Sequence, residues 1–317
     1  MSIDLAPGRS GALRVRHPVL VAAGGAGYGN ELLEIVGDQT PAAIVTRSVT
    51  RDARPGNRPP RMAALPDGLL SSIGLQNPGL DAVLRRQSVR WAASTVPIVV
   101  SICGDTVEDI AALARALEMQ PDIAGIELNL AGRDRGRTAA PMGHDVATAE
   151  VATVAARAAT ELPLIVKLPA DVPDARAVAR AVAAAGADAI SAIAPLPALA
   201  LAHDRRRAYL GTAYGGLSGP AVKPVGLRVV YEISQVVHVP VIGIGGISAL
   251  GDVLDYLAAG ATAVGMATAA LADPFLPGRL GDDLLDWCAG HGIDDLRELS
   301  GSALPARRDR GRRRRDR

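Results

Sequence analysis

Eight short, nearly unbroken apolar runs recur along the chain, at residues 19–22, 43–46, 98–102, 123–128, 164–168, 189–193, 241–244 and 263–266. None alternates apolar with polar positions, so each reads as a strand buried on both faces, the pattern of a parallel sheet. Most of the segments between them carry helical periodicity and recognisable ends. Asn77-Pro78 offers an N-cap and a first-turn proline before Leu80, Val83 and Leu84. Asp105 with Glu108 suggests a capping box ahead of Ile110, Leu113 and Leu117. Val178 and Val182 form a stripe that stops at Gly186, and Ser248 opens a segment carrying Val253, Leu254 and Leu257 that stops at Gly260. Strand followed by helix, eight times over, predicts an α/β fold, a closed (β/α)8 TIM barrel. A doubly wound open sheet is the alternative. It calls for a GxGxxG turn after the first strand, whereas the glycines here stand at 24, 25, 27 and 29. The proline-rich stretch 51–75, between strands two and three, is long and without helical period, so a lid or hairpin insertion over the barrel mouth is expected there.

Composition narrows the picture. With 317 residues, 49% hydrophobic but only 3% aromatic, the chain can bury a large aliphatic core as one domain. Cys103 and Cys288 are its only cysteines, which excludes a disulfide framework and a thiolate metal cluster and suits a reducing compartment. No basic-then-apolar leader opens the sequence and no apolar run reaches membrane-spanning length, so a cytoplasmic protein is expected. The net charge is +1, but residues 307–317 hold eight Arg and two Asp, or +6, which leaves −5 for the rest. We therefore divide the chain into a barrel at 1–300 and an Arg-rich, disordered tail at 301–317. Such a tail either stays solvated or seeks anionic surfaces; no nucleic-acid motif accompanies it.

Candidate chemistry gathers where this fold keeps it, at the carboxyl ends of the strands. Gly245-Gly246-Ile247-Ser248 follows the seventh strand and Ala267-Thr268 the eighth, and both suit backbone approach to a phosphate. Gly215-Gly216-Leu217-Ser218-Gly219-Pro220 lies ahead of the helix that precedes the seventh strand and offers a third wall. Lys167 closes the apolar run LIVK, where burial of an ammonium calls for an anion.

At these residues the chain resembles the class 1 dihydroorotate dehydrogenases over roughly residues 15–275. The matching stretches are AIVTR from Ala43, LLSSIGLQNPG from Leu69, GIELN from Gly125, LIVKL from Leu164, GGLSGPAVKPVGLR from Gly215, and VPVIGIGGISALGDVLDYLAAGATAV from Val239. The resemblance implies an FMN barrel in which dihydroorotate gives a hydride to the flavin while a loop base removes a proton. It places Ala22, Ala23 and Gly24 along the flavin ring, Asn129 against flavin and substrate, and Lys167 at the flavin. Ser218, Gly219, Gly245, Gly246, Ala267 and Thr268 fall at the phosphate, with Ala267 standing where a glycine is usual.

The substrate side departs from that pattern. Gly132 stands where the family has its Cys or Ser base. Arg47 replaces a lysine, and Ser71, Ser101 and Ala194 replace asparagines. Arg47 and Asp134 are then the catalytic candidates, with His144 and Cys103 as further bases, and Ser71, Asn129 and Ala194 the substrate positions. Arg47, Arg133, Arg135 and Arg137 would favour an anionic small-molecule substrate. Two functions follow: an FMN-dependent oxidoreductase acting on dihydroorotate or a related anion, or a catalytically degenerate FMN-binding paralogue or partner subunit. The resemblance also implies a homodimer and, in one class, an iron–sulfur electron-transfer subunit.

Overall fold

The computed structural model describes residues 2–9, 13–132 and 141–305. Eight parallel strands close into a barrel: β1 (Val19–Val21), β2 (Ile44–Val45), β3 (Ile98–Ile102), β4 (Gly125–Asn129), β5 (Leu164–Lys167), β6 (Ala189–Ala192), β7 (Val241–Ile244) and β8 (Ala263–Met266). Each falls within an apolar run identified above, except that β4 continues one residue further, to Asn129. They neighbour one another in chain order, and β8 closes on β1 through the Gly265–Leu20 register. Parallel pairing with helices outside leaves no strand face in water, which is why the runs are continuous rather than alternating.

The helices α1 (Asn30–Val36), α2 (Leu80–Ala92), α3 (Val107–Glu118), α4 (Val146–Arg157), α5 (Ala175–Ala184), α6 (Lys223–Ser234), α7 (Leu250–Ala258), α8 (Thr268–Ala272) and α9 (Leu276–Gly290) surround the barrel. Their buried positions follow the helical period, as with Ile110, Leu113, Ala114 and Leu117 of α3 or Ala175, Val178, Ala179 and Val182 of α5. Two expected caps are corrected. Helix α2 starts at Leu80, and Asn77 is buried instead, its side chain bonded to the backbone of Thr50, Leu75 and Gly79. In α3 the cap is Thr106, which accepts from the Asp109 N–H, while Asp105 pairs with Arg54. In each case a tertiary partner outcompetes the local bond.

The insertion after β2 does form a hairpin, Met62–Leu65 with Gly68–Ser71. It is half of a larger lid, because Leu196–Leu199 and Tyr214–Ser218 from the β6–α6 connection join it in a four-stranded antiparallel sheet. The glycines of residues 215–219 therefore belong largely to a lid strand. Beyond residue 300 the chain stays attached, with Gly301 and Ala303 donating to the carbonyls of Leu257 and Ala258 of α7. Residues 306–317, which hold the arginine cluster, lie outside the described residues.

Candidate functional site

A cavity of about 400 Å³ opens at the carboxyl ends of β1, β5, β7 and β8. Its floor is Ala22 and Ala23 after β1, Lys167 of β5 and Ala194 after β6; its far end is Ser218, Gly219, Gly245, Gly246, Ala267 and Thr268. The lid turn Pro66–Gly68 covers one side, as expected of the insertion at 51–75, although these three residues were not among the candidate positions because turn residues carry no mark of what they will face. Thus eight of the eleven cofactor positions meet at the cavity with Lys167 as the ninth, while Gly24 and Asn129 are not among the lining residues.

Lys167 is 5% exposed, and among the described residues its ammonium has no ion pair or hydrogen bond. An ammonium withdrawn from water without a partner is costly, so the cavity is built to receive negative charge there. At the far end, the N–H groups of Gly219, Gly246 and Ile247 likewise have no acceptor among the described residues. The Thr268 hydroxyl donates to Ser218 Oγ at 2.8 Å, bringing two hydroxyls to the same corner.

Close packing of main chain explains the glycines. Gly246 has φ +69°, and a Cβ on it would fall 2.7 Å from Lys223 Cβ. A Cβ on Gly219 (φ +98°) would fall 2.7 Å from Gly68 Cα. Beneath the corner lies Tyr256 of α7, fully buried, whose hydroxyl donates to the Gly245 carbonyl at 2.8 Å. Its side chain fits only because residues 226 and 243 are glycines, where a Cβ would run into the Tyr256 hydroxyl and ring respectively. Asp252 holds the start of α7: its carboxylate accepts from the Ser248 and Ala249 N–H groups and from Lys223. Burial alone would raise this carboxyl, but the lysine and the two amides outweigh it and hold it below the usual range.

On the substrate side Ser71 lies in the lid sheet opposite Gly216, and Arg47 is half-buried just past β2, its guanidinium in no hydrogen bond or ion pair among the described residues, though its charge acts on the nearby Tyr28 hydroxyl. Asn129, at the end of β4, donates to Ser48 Oγ at 2.8 Å and accepts from the Ala131 N–H at 3.0 Å. Gly132 faces the Cys103 thiol so closely that a Cβ would fall 2.3 Å from its Sγ. Sulfur from the neighbouring strand end thus fills the space of a side chain at 132. His144 is taken up by Asp171 at 2.8 Å. Asp134, with Arg133, Arg135 and Arg137, lies outside the described residues.

The sequence profile of dihydroorotate dehydrogenase matches residues 11–287. A protein of Desulforudis audaxviator is 40% identical over 291 residues, spanning 92% of this chain and 95% of its own length. One of Trichlorobacter lovleyi is 39% identical over 302 residues, spanning 95% and 98%. Both are named dihydroorotate dehydrogenase B (NAD(+)), catalytic subunit. In three dimensions the chain is similar to a dihydroorotate dehydrogenase from Eimeria tenella solved in complex with ferulenol, with a TM-score of 0.77 at 20% identity over 95% of this chain and 88% of the other. Profile and relatives, each spanning most of the chain, make it a member of the dihydroorotate dehydrogenase family.

Proposed function

We propose that this chain is an FMN-dependent dehydrogenase of dihydroorotate dehydrogenase type, acting on dihydroorotate or a related small anionic substrate. The observation that carries the reading is Lys167, a buried ammonium lining a glycine-walled cavity and without an ion pair or hydrogen bond among the described residues. Gly219, Gly246, Ile247 and Thr268 would hold the phosphate, Ala22 and Ala23 would lie along the ring, and Lys167 would face its polar edge. The flavin, when bound, supplies a two-electron acceptor for the substrate's hydride. In this chain Lys167 would offset the negative charge that reduction adds, and Arg47 would orient the substrate's anionic group.

A second reading, a flavin-binding relative without turnover, draws on Gly132, which offers no proton acceptor and whose side-chain space Cys103 occupies. Electron-transfer partners follow from chemistry and from the names of the relatives. Two distant cysteines cannot supply thiolates for an iron–sulfur cluster, so any such cluster would sit in a separate electron-transfer subunit, a partner that the relatives' name, catalytic subunit, supports, on a homodimeric core. The test is spectral. Purified or reconstituted protein is expected to show flavin absorbance that Lys167→Met weakens, and dihydroorotate is expected to bleach it anaerobically. Failure to take up flavin overturns the proposal; flavin that dihydroorotate leaves unchanged favours the second reading.

A further inference from the structure

Below the mouth, inside the barrel, five side chains form one hydrogen-bonded row: Ser191 of β6, Glu127 of β4, Ser101 of β3, Ser48 just past β2, and Asn129 at the end of β4. Ser191 Oγ donates to Glu127 Oε2 at 2.9 Å and Ser101 Oγ to Oε1 at 3.1 Å. Ser101 and Ser48 lie 2.9 Å apart, and Asn129 Nδ2 donates to Ser48. Glu127 is 1% exposed and has no cationic partner among the described residues.

The direction of every bond in the row follows from its acidic member. Both Glu127 oxygens accept, one from Ser191 and one from Ser101, so the single proton of Ser101 is spent on Glu127. Ser101 must then accept from Ser48, whose own proton is spent in turn, and Ser48 can only accept from Asn129. At the other side of the amide, the Ala131 N–H requires Asn129 Oδ1. A flipped amide would set carbonyl against a lone pair and NH2 against N–H. Asn129 stands in register with the cavity-lining Lys167, outside the lining itself, and is thereby fixed with its second Nδ2 proton unspent among the described residues.

We propose that Glu127 is a positioning residue which, through Ser101 and Ser48, locks the Asn129 amide as a donor, so that the site selects a ligand presenting an acceptor there, a carbonyl oxygen or an unprotonated ring nitrogen. The lock rests on the flavin reading only for the identity of that ligand. It gives the buried carboxyl group of Glu127 a role in the barrel core, where apolar packing would fill the space at less cost.

The test pairs two readouts on the full chain. The Asn129 side-chain amide, assigned by its disappearance in Asn129→Asp, is expected to show one slowly exchanging, hydrogen-bonded proton by NMR. Ser101→Ala and Glu127→Leu should accelerate that exchange, and Ser101→Thr, which keeps the hydroxyl, should restore it. Affinity for FMN should fall about tenfold in the first two variants, the scale of one lost polar contact, and recover in the third. An unchanged amide and unchanged FMN affinity in a folded Ser101→Ala chain would overturn the lock, as would equal losses in the Ala and Thr variants. Should Ser101→Ala fail to fold, Ser48→Ala cuts the row one bond further along with the same expectation. If the unaltered chain takes up no FMN, the flavin reading fails while the amide readout still decides the lock.

Discussion

Single residues decide the shape of the substrate side. Gly132 and Cys103 are complementary, because a Cβ at 132 and the sulfur cannot both keep their places. Gly132→Ala should therefore cost about 1–3 kcal/mol by overpacking, and Cys103→Ala in the same chain should recover much of it, a coupling that denaturant titration of the four variants would measure. Any attempt to restore a base at 132 has to remove that sulfur first. His17 offers a pH prediction. It is fully buried against Gly281, and burial pushes its imidazole down to about 4. The unfolded chain binds this proton at ordinary histidine pH and the folded chain does not, so the stability linked to His17 is present above about pH 6.5 and declines towards pH 4. The full effect is about 3 kcal/mol, and imidazole NMR should find His17 neutral through that window.

At the level of elements, the phosphate corner depends on how α7 begins. Asp252 satisfies two N–H groups that the first turn leaves over and ties them to Lys223 of α6. Replacing it with Ala removes cap and ion pair together; about 1–2 kcal/mol of stability should be lost, as is usual for a cap, along with FMN affinity. A melting curve and a flavin titration would separate the two effects. Loss of stability with unchanged flavin binding would show that the corner is held by Tyr256 alone.

For the whole molecule, the lid and barrel meet around a cavity formed by loops from opposite sides of the ring. A ligand that binds only this assembled state stabilises it by mass action. FMN at about 100 times its dissociation constant should add about 2.7 kcal/mol, raising the melting temperature by several degrees. Riboflavin, which lacks the phosphate, should add markedly less if the corner works as described. Equal shifts for the two would contradict the phosphate assignment. Among the described residues no helix is long and apolar enough to cross a membrane.

The strands and most helices were legible in the sequence because parallel barrel strands are buried on both faces, a pattern that depends on neighbours in the chain. Lys167 was legible for a related reason: a cation inside an apolar run is conspicuous. Glu127, inside GIELN, gave the same signal and acquires meaning only beside Ser101 and Ser191, from strands 26 and 64 residues away. The joining of two distant insertions into one lid was equally beyond local pattern, since antiparallel edges find each other only after the barrel has brought them together. So the sequence by itself determined the barrel and the charge its mouth requires. Tertiary structure decided what covers that mouth, which sulfur fills the place of the missing side chain, and which way the Asn129 amide points, because those depend on distances between segments that no local period encodes.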